Sequence, residues 1–199
     1  MVRGDRTFIS AIIAMGFVAV SLSACAADPA SNLPGTYPEL TIAESKSPVQ
    51  LLRNDAAGRI PTAVIDTVGD ANDGSVACLG ENEDPEGLVR SWNSGAVVTI
   101  VSGSQWRVDA IVDNLVASFV DQGWTARSLG GSANVKSQLL SSDKSMAEIT
   151  VSAKIPDEDQ TSISTEESVE VVTVEINVVG PCVITDGAGS DEVKKVEGR

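Results

Sequence analysis

Residues 104–123, SQWRVDAIVDNLVASFVDQG, constrain the fold more than any other stretch of the chain. Val108, Ile111, Val112, Leu115, Val116, Phe119 and Val120 recur at i, i+3 and i+4, with Ser104 placed as N-cap and Gly123 as stop. Downstream, residues 146–155 change period: Ala147, Ile149, Val151, Ala153 and Ile155 point one way, and Glu148, Thr150, Ser152 and Lys154 the other. A helix with one apolar stripe and a strand with one apolar face each need a partner. The economical solution is that they bury one another, which defines an α+β domain.

The remaining segments extend this scheme. Strands are expected at 88–101, 124–129, 135–142 and 169–179, the last with a phase change near Val172-Thr173 that suggests a bulge or burial on both faces. Ser47-Pro48 reads as an N-cap followed by proline at the first helical position, so 48–68 is expected to be a helix, kinked or broken near Gly58 to Pro61. Residues 69–87 read as an acidic, turn-rich loop. The division expected is a leader at 1–24, a flexible tether at 25–46, one α+β domain at 47–184 and a disordered tail at 185–199.

The leader carries the clearest functional signal. Arg3 and Arg6 precede the apolar run FISAIIAMGFVAV at 8–20, which is shorter than the ~20 residues a spanning helix needs. A basic start, a short apolar middle and small residues at the end form a secretory signal. It ends in Leu22-Ser23-Ala24-Cys25, which resembles the lipobox of bacterial lipoproteins. The resemblance implies that the Cys25 thiol receives a diacylglycerol and becomes the mature N-terminus. The protein would then be tethered to the extracytoplasmic face of a cell membrane through lipid on Cys25.

Net charge agrees with a tethered rather than a surface-lying domain. The chain carries −14, and loss of residues 1–24, with Arg3, Arg6 and Asp5, leaves −15. Such a balance excludes electrostatic capture of nucleic acid, which needs Lys and Arg to neutralise phosphates. It also disfavours an anionic bilayer surface.

Two cysteines remain, Cys78 and Cys182. Outside the cytoplasm an isolated pair is most simply a structural disulfide. The bond sets the start of the first expected strand beside the end of the fifth. A meander of the strands between gives an antiparallel five-stranded sheet in the order 1-5-4-3-2, with the amphipathic helix and the N-terminal helix on one face. The sequence of helix, cysteine, helix, Gly123, strand meander and Val179-Gly180-Pro181-Cys182 is similar in layout to small actinobacterial lipoproteins of the mycobacterial LppA type. That resemblance implies an envelope lipoprotein and carries over no site residues.

The chain contains no histidine, which removes Ser-His-Asp and Cys-His catalysis and His-ligated metal sites. Ser142-Asp143-Lys144-Ser145 reads as a hairpin turn rather than a serine–lysine pair. Asp70, Asn72 and Glu81 fall at calcium-loop positions 1, 3 and 12, but Ser75 stands where the sharp turn needs glycine. No cofactor or metal is expected. Trp106 and Trp124 are placed at the two ends of the helix, and Trp92, among polar neighbours, is the one aromatic with a candidate ligand contact. The expectation is a non-catalytic binding domain whose partner is an envelope protein or cell-wall component. A carboxylate-dependent hydrolase of cell-wall glycan, or a small-ligand or cation carrier, is the alternative.

Overall fold

The computed structural model describes residues 33–101, 107–130, 135–154 and 172–198. The leader, Cys25 and Trp106 lie outside the described residues. Helix α1 spans Ile42–Gly58, strand β1 Ile65–Ala77 and strand β2 Val89–Ile100. Helix α2 spans Val108–Val120 and is followed by β3 (Thr125–Ser128), β4 (Val135–Ser142), β5 (Ser145–Lys154), β6 (Thr173–Val179), β7 (Val183–Ile184) and α3 (Asp191–Glu197).

The α+β class holds, with a sheet that is antiparallel in every pairing. The five-stranded sheet in the order 1-5-4-3-2 is corrected: among the described residues there are seven strands, ordered β1-β2-β6-β5-β4-β3, with β7 beside β2. The difference arises at the edge, where residues 65–77 pair along β2 instead of forming the end of a helix and a loop. Across the sheet, Ser94, Val178, Ile149 and Leu140 stand in one row, and Ala96, Ile176, Val151 and Gln138 in the next. These rows form the face on which α1 packs against β2 and β6, and α2 against β3, β4 and β5. The apolar stripe of α2 supplies Ile111, Val112, Leu115 and Phe119 to that core.

The first helix starts a turn and a half earlier than expected. Thr41 is its N-cap in a reciprocal capping box: Glu44 N donates to Thr41 Oγ1 at 3.2 Å, and Thr41 N donates to Glu44 Oε2 at 2.8 Å. Pro48 therefore lies inside the helix and removes one backbone donor. Ile42, Ser45 and Val49, buried along one side, show the packing that offsets that loss. Residues 42–46, expected to close a tether over 25–46, belong to this helix instead.

Strand β1 lacks an apolar core side because its polar side chains find partners instead. Asp70 Oδ1 accepts from Arg53 Nη1 at 2.6 Å, and Asp73 Oδ2 accepts from Gln50 Nε2 at 2.6 Å. Ser75 Oγ donates to Glu197 Oε1 at 2.6 Å and accepts from Arg90 Nε at 3.0 Å. The partners come from α1, α3 and β2, so the edge is held by a polar seam.

That seam also explains the C-terminus, expected to be a disordered tail over 185–199. Ser190 Oγ accepts from Val193 N, Gly198 closes α3 in the left-handed conformation, and Val193 is buried. Glu197 reaches Ser75, and Lys46 Nζ donates to Val196 O at 2.7 Å. At the other end of α1, Arg59 donates to Asp55, to the Ser118 carbonyl and to Gln122, with its guanidinium 3.7 Å over the Phe119 ring. The two long helices are thus fixed to each other.

Candidate functional site

Cys78 and Cys182 form a disulfide with Cα atoms 6.1 Å apart. Cys78 follows β1 on one side of β2, and Cys182 lies between β6 and β7 on the other, so the bond crosses β2. Backbone pairing continues to the cysteine itself, since Cys78 N donates to Val89 O at 2.9 Å. Nearby, the buried Asp84 carboxylate accepts from Leu88 N and Val89 N at 2.9 and 2.7 Å, satisfying the donors where β2 begins.

Trp92, the expected candidate for a ligand contact, is 1% exposed and belongs to the core. Its indole Nε1 donates to Asp73 Oδ1 at 2.8 Å, and Lys46 Nζ stands 4.6 Å from the ring centroid. These partners, Asp73 on β1 and Lys46 on α1, are distant in sequence and are not the polar residues that flank Trp92 in β2. Burial opposes ionisation of Asp73, but the donors Trp92, Ser94 and Gln50 and the Lys46 charge outweigh it and hold its carboxyl below the usual range. We assign the effect to Trp92, Gln50 and Lys46, because Ser94 Oγ, though opposite in register, makes no hydrogen bond of normal geometry.

The other candidate positions are structural. Asp70 and Asn72 lie in β1, not in a loop, and Asp70 is paired with Arg53. Among the described residues no group of three acidic or cysteine side chains is gathered as a metal site would require. Residues 142–145 form the turn of the β4–β5 hairpin, where Lys144 N donates to Ser142 Oγ at 3.3 Å. Trp124 packs edge-on to Phe119, with ring centroids 5.3 Å apart.

One open groove is built mainly of apolar side chains. It has a volume of about 490 Å³ and runs between α1 and the β4–β5 turn, with Pro181 also in its wall. Leu40, Pro48, Val49, Leu51 and Leu52 line one side, and Met146 and Ala147 the other. Leu51 and Met146 are 68% and 61% exposed, the two most exposed of the large apolar side chains described. Its charged groups are Glu44, Asp55 and Lys144. Hydrogen bonds from the Thr41 backbone and side chain hold the Glu44 carboxyl below its ordinary range, so that group stays anionic. Ser45 also lines the groove; it is 4% exposed, and its hydroxyl has no hydrogen-bond partner. The floor is tight, because a β-carbon on Gly180 would come within 2.5 Å of Ser45 Oγ.

A smaller and more polar depression of about 370 Å³ lies on the opposite sheet face, around Gly95, Asn72, Thr150, Glu175 and Asn177. Asn72 Oδ1 lies where a Gly95 side chain would begin, 2.1 Å from an ideal β-carbon, so glycine is required there. The apolar groove has dimensions suited to a small ligand or a single chain, within the range of about 300–1,000 Å³ of known ligand pockets.

The sequence analysis did not find this groove. Its walls come from segments about a hundred residues apart, which only the folded sheet brings together. No protein-family model, curated protein or solved structure matches the chain.

Proposed function

We propose that this chain is a cell-envelope lipoprotein, anchored to the extracytoplasmic face of the membrane through lipid on Cys25. Its folded domain serves as a non-catalytic binding module for another envelope component. The observation that carries the reading is Leu22-Ser23-Ala24-Cys25 placed directly after the apolar run at 8–20. The Cys78–Cys182 disulfide supports it, because such bonds persist in oxidising compartments. The apolar groove beside α1 supports the binding role, since side chains as exposed as Leu51 and Met146 at one concave surface mark an interaction site more often than chance scatter does.

The reading assigns no chemistry to the domain. The binding surface is the groove, and the tether places it near the bilayer. Metabolic labelling with an alkyne fatty acid tests the anchor: the wild-type chain should be labelled and fractionate with membranes, and Cys25→Ser should be unlabelled. Equal labelling of the two would overturn the proposal.

A further inference from the structure

We infer that the apolar groove between α1 and the β4–β5 turn shelters one acyl chain of the lipid carried on the protein's own Cys25 whenever the protein is away from a bilayer. The inference rests on the lipoprotein reading above and names the occupant of its groove. Three observations favour this occupant.

The first is position. Leu40 lines the groove, and only fifteen residues separate it from Cys25. A chain of that length spans at most about 50 Å, so the lipid attached at its end can always reach the groove. An occupant on the same chain is present at an effective concentration on the order of millimolar, which no free lipid in an aqueous compartment matches.

The second is size and lining. An apolar cavity of about 150 Å³ accommodates the six carbons of a benzene ring, so a groove of about 490 Å³ has room for on the order of 20 carbons. That is one long acyl chain. Leu51 and Met146, both largely exposed, would gain cover along with the chain they contact.

The third is charge. The groove carries Glu44 and Asp55 against the single Lys144, on a body of strongly negative net charge. Anionic phospholipid and free fatty-acid carboxylates are repelled there, as is a second copy of the same acidic chain. A thioether-linked diacylglycerol is neutral and meets no such penalty.

The test uses the mature protein from cells fed a diazirine fatty acid, purified from membranes, transferred to detergent-free buffer and irradiated. Crosslinks from the lipid on Cys25 should concentrate within one chain, on peptides carrying Leu51-Leu52 and Met146-Ala147. Leu51→Glu and Met146→Glu, both at exposed positions that leave the core intact, should cut those crosslinks about fivefold without changing the amount of lipid on Cys25. A lipid-labelled protein whose crosslinks fall on a second copy or another protein would overturn the inference. So would crosslinks insensitive to both variants. Absence of label altogether overturns the lipoprotein reading, and the inference with it.

Discussion

Trp92 Nε1 donates to Asp73 Oδ1 at 2.8 Å, joining the largest side chain of the core to an acidic edge strand. Gln50 holds the other carboxylate oxygen, so one aspartate connects β1, β2 and α1. Asp73→Ala leaves the indole donor without its partner and should cost about 1–3 kcal/mol in urea unfolding. The pH dependence has a definite sign. Asp73 titrates below its ordinary value in the fold, whereas an unfolded aspartate titrates near pH 3.9, so its ionised form favours the native state. That contribution is complete above about pH 3.9 and is lost as the pH falls through the folded value. The stability gap between wild type and Asp73→Asn should therefore be present at pH 7 and close in acid. A gap that widens in acid would contradict the assignment.

Gly180 and Ser45 make a second testable contact. A β-carbon at Gly180 would lie 2.5 Å from Ser45 Oγ and 2.9 Å from Val49 Cγ2. Gly180→Ala should destabilise by about 1–3 kcal/mol through overpacking. Ser45→Ala removes a buried hydroxyl that has no partner and should be neutral or slightly stabilising. The double variant should recover part of the Gly180→Ala loss, because the two positions share one contact. Strict additivity in thermal melts would argue that α1 does not seat there.

The bond between Cys78 and Cys182 closes a loop of 104 residues across β2. Its loss should cost on the order of 3–5 kcal/mol. Cys78→Ser, Cys182→Ser and the double variant should be equally destabilised, since each removes the same constraint. Non-reducing peptide mapping of natively purified protein should recover the linked peptides. Two free thiols would refute the pairing.

The parts of the fold visible in the sequence are those whose stability comes from apolar burial in a regular period. Ile111 to Phe119 and Ala147 to Ala153 are of this kind, and both lie where their pattern places them, although α2 begins after Arg107 and not at the expected cap Ser104. Strand β1 was not visible, because Asp70, Asp73 and Ser75 face groups on α1, α3 and β2 that are distant in sequence. Paired polar residues in a strand look like a solvated loop until their partners are known. Helix α3 was hidden for the same reason, its docking resting on Glu197, the Val196 carbonyl and the single buried Val193. At α1, Ser47-Pro48 has the pattern of a helix start, but the stronger signal is Thr41 with Glu44 three residues on. The groove needed the tertiary structure, since Leu52 and Met146 meet only after the sheet has formed.

The central claim is that Cys25 is the lipidated N-terminus of the mature protein. The mass of the N-terminal peptide, isolated from the membrane fraction, tests it most directly. The account predicts a peptide that begins at Cys25 and carries the added mass of a diacylglycerol, and no peptide from residues 1–24. An N-terminal peptide with an unmodified Cys25, or one that begins elsewhere, would contradict it.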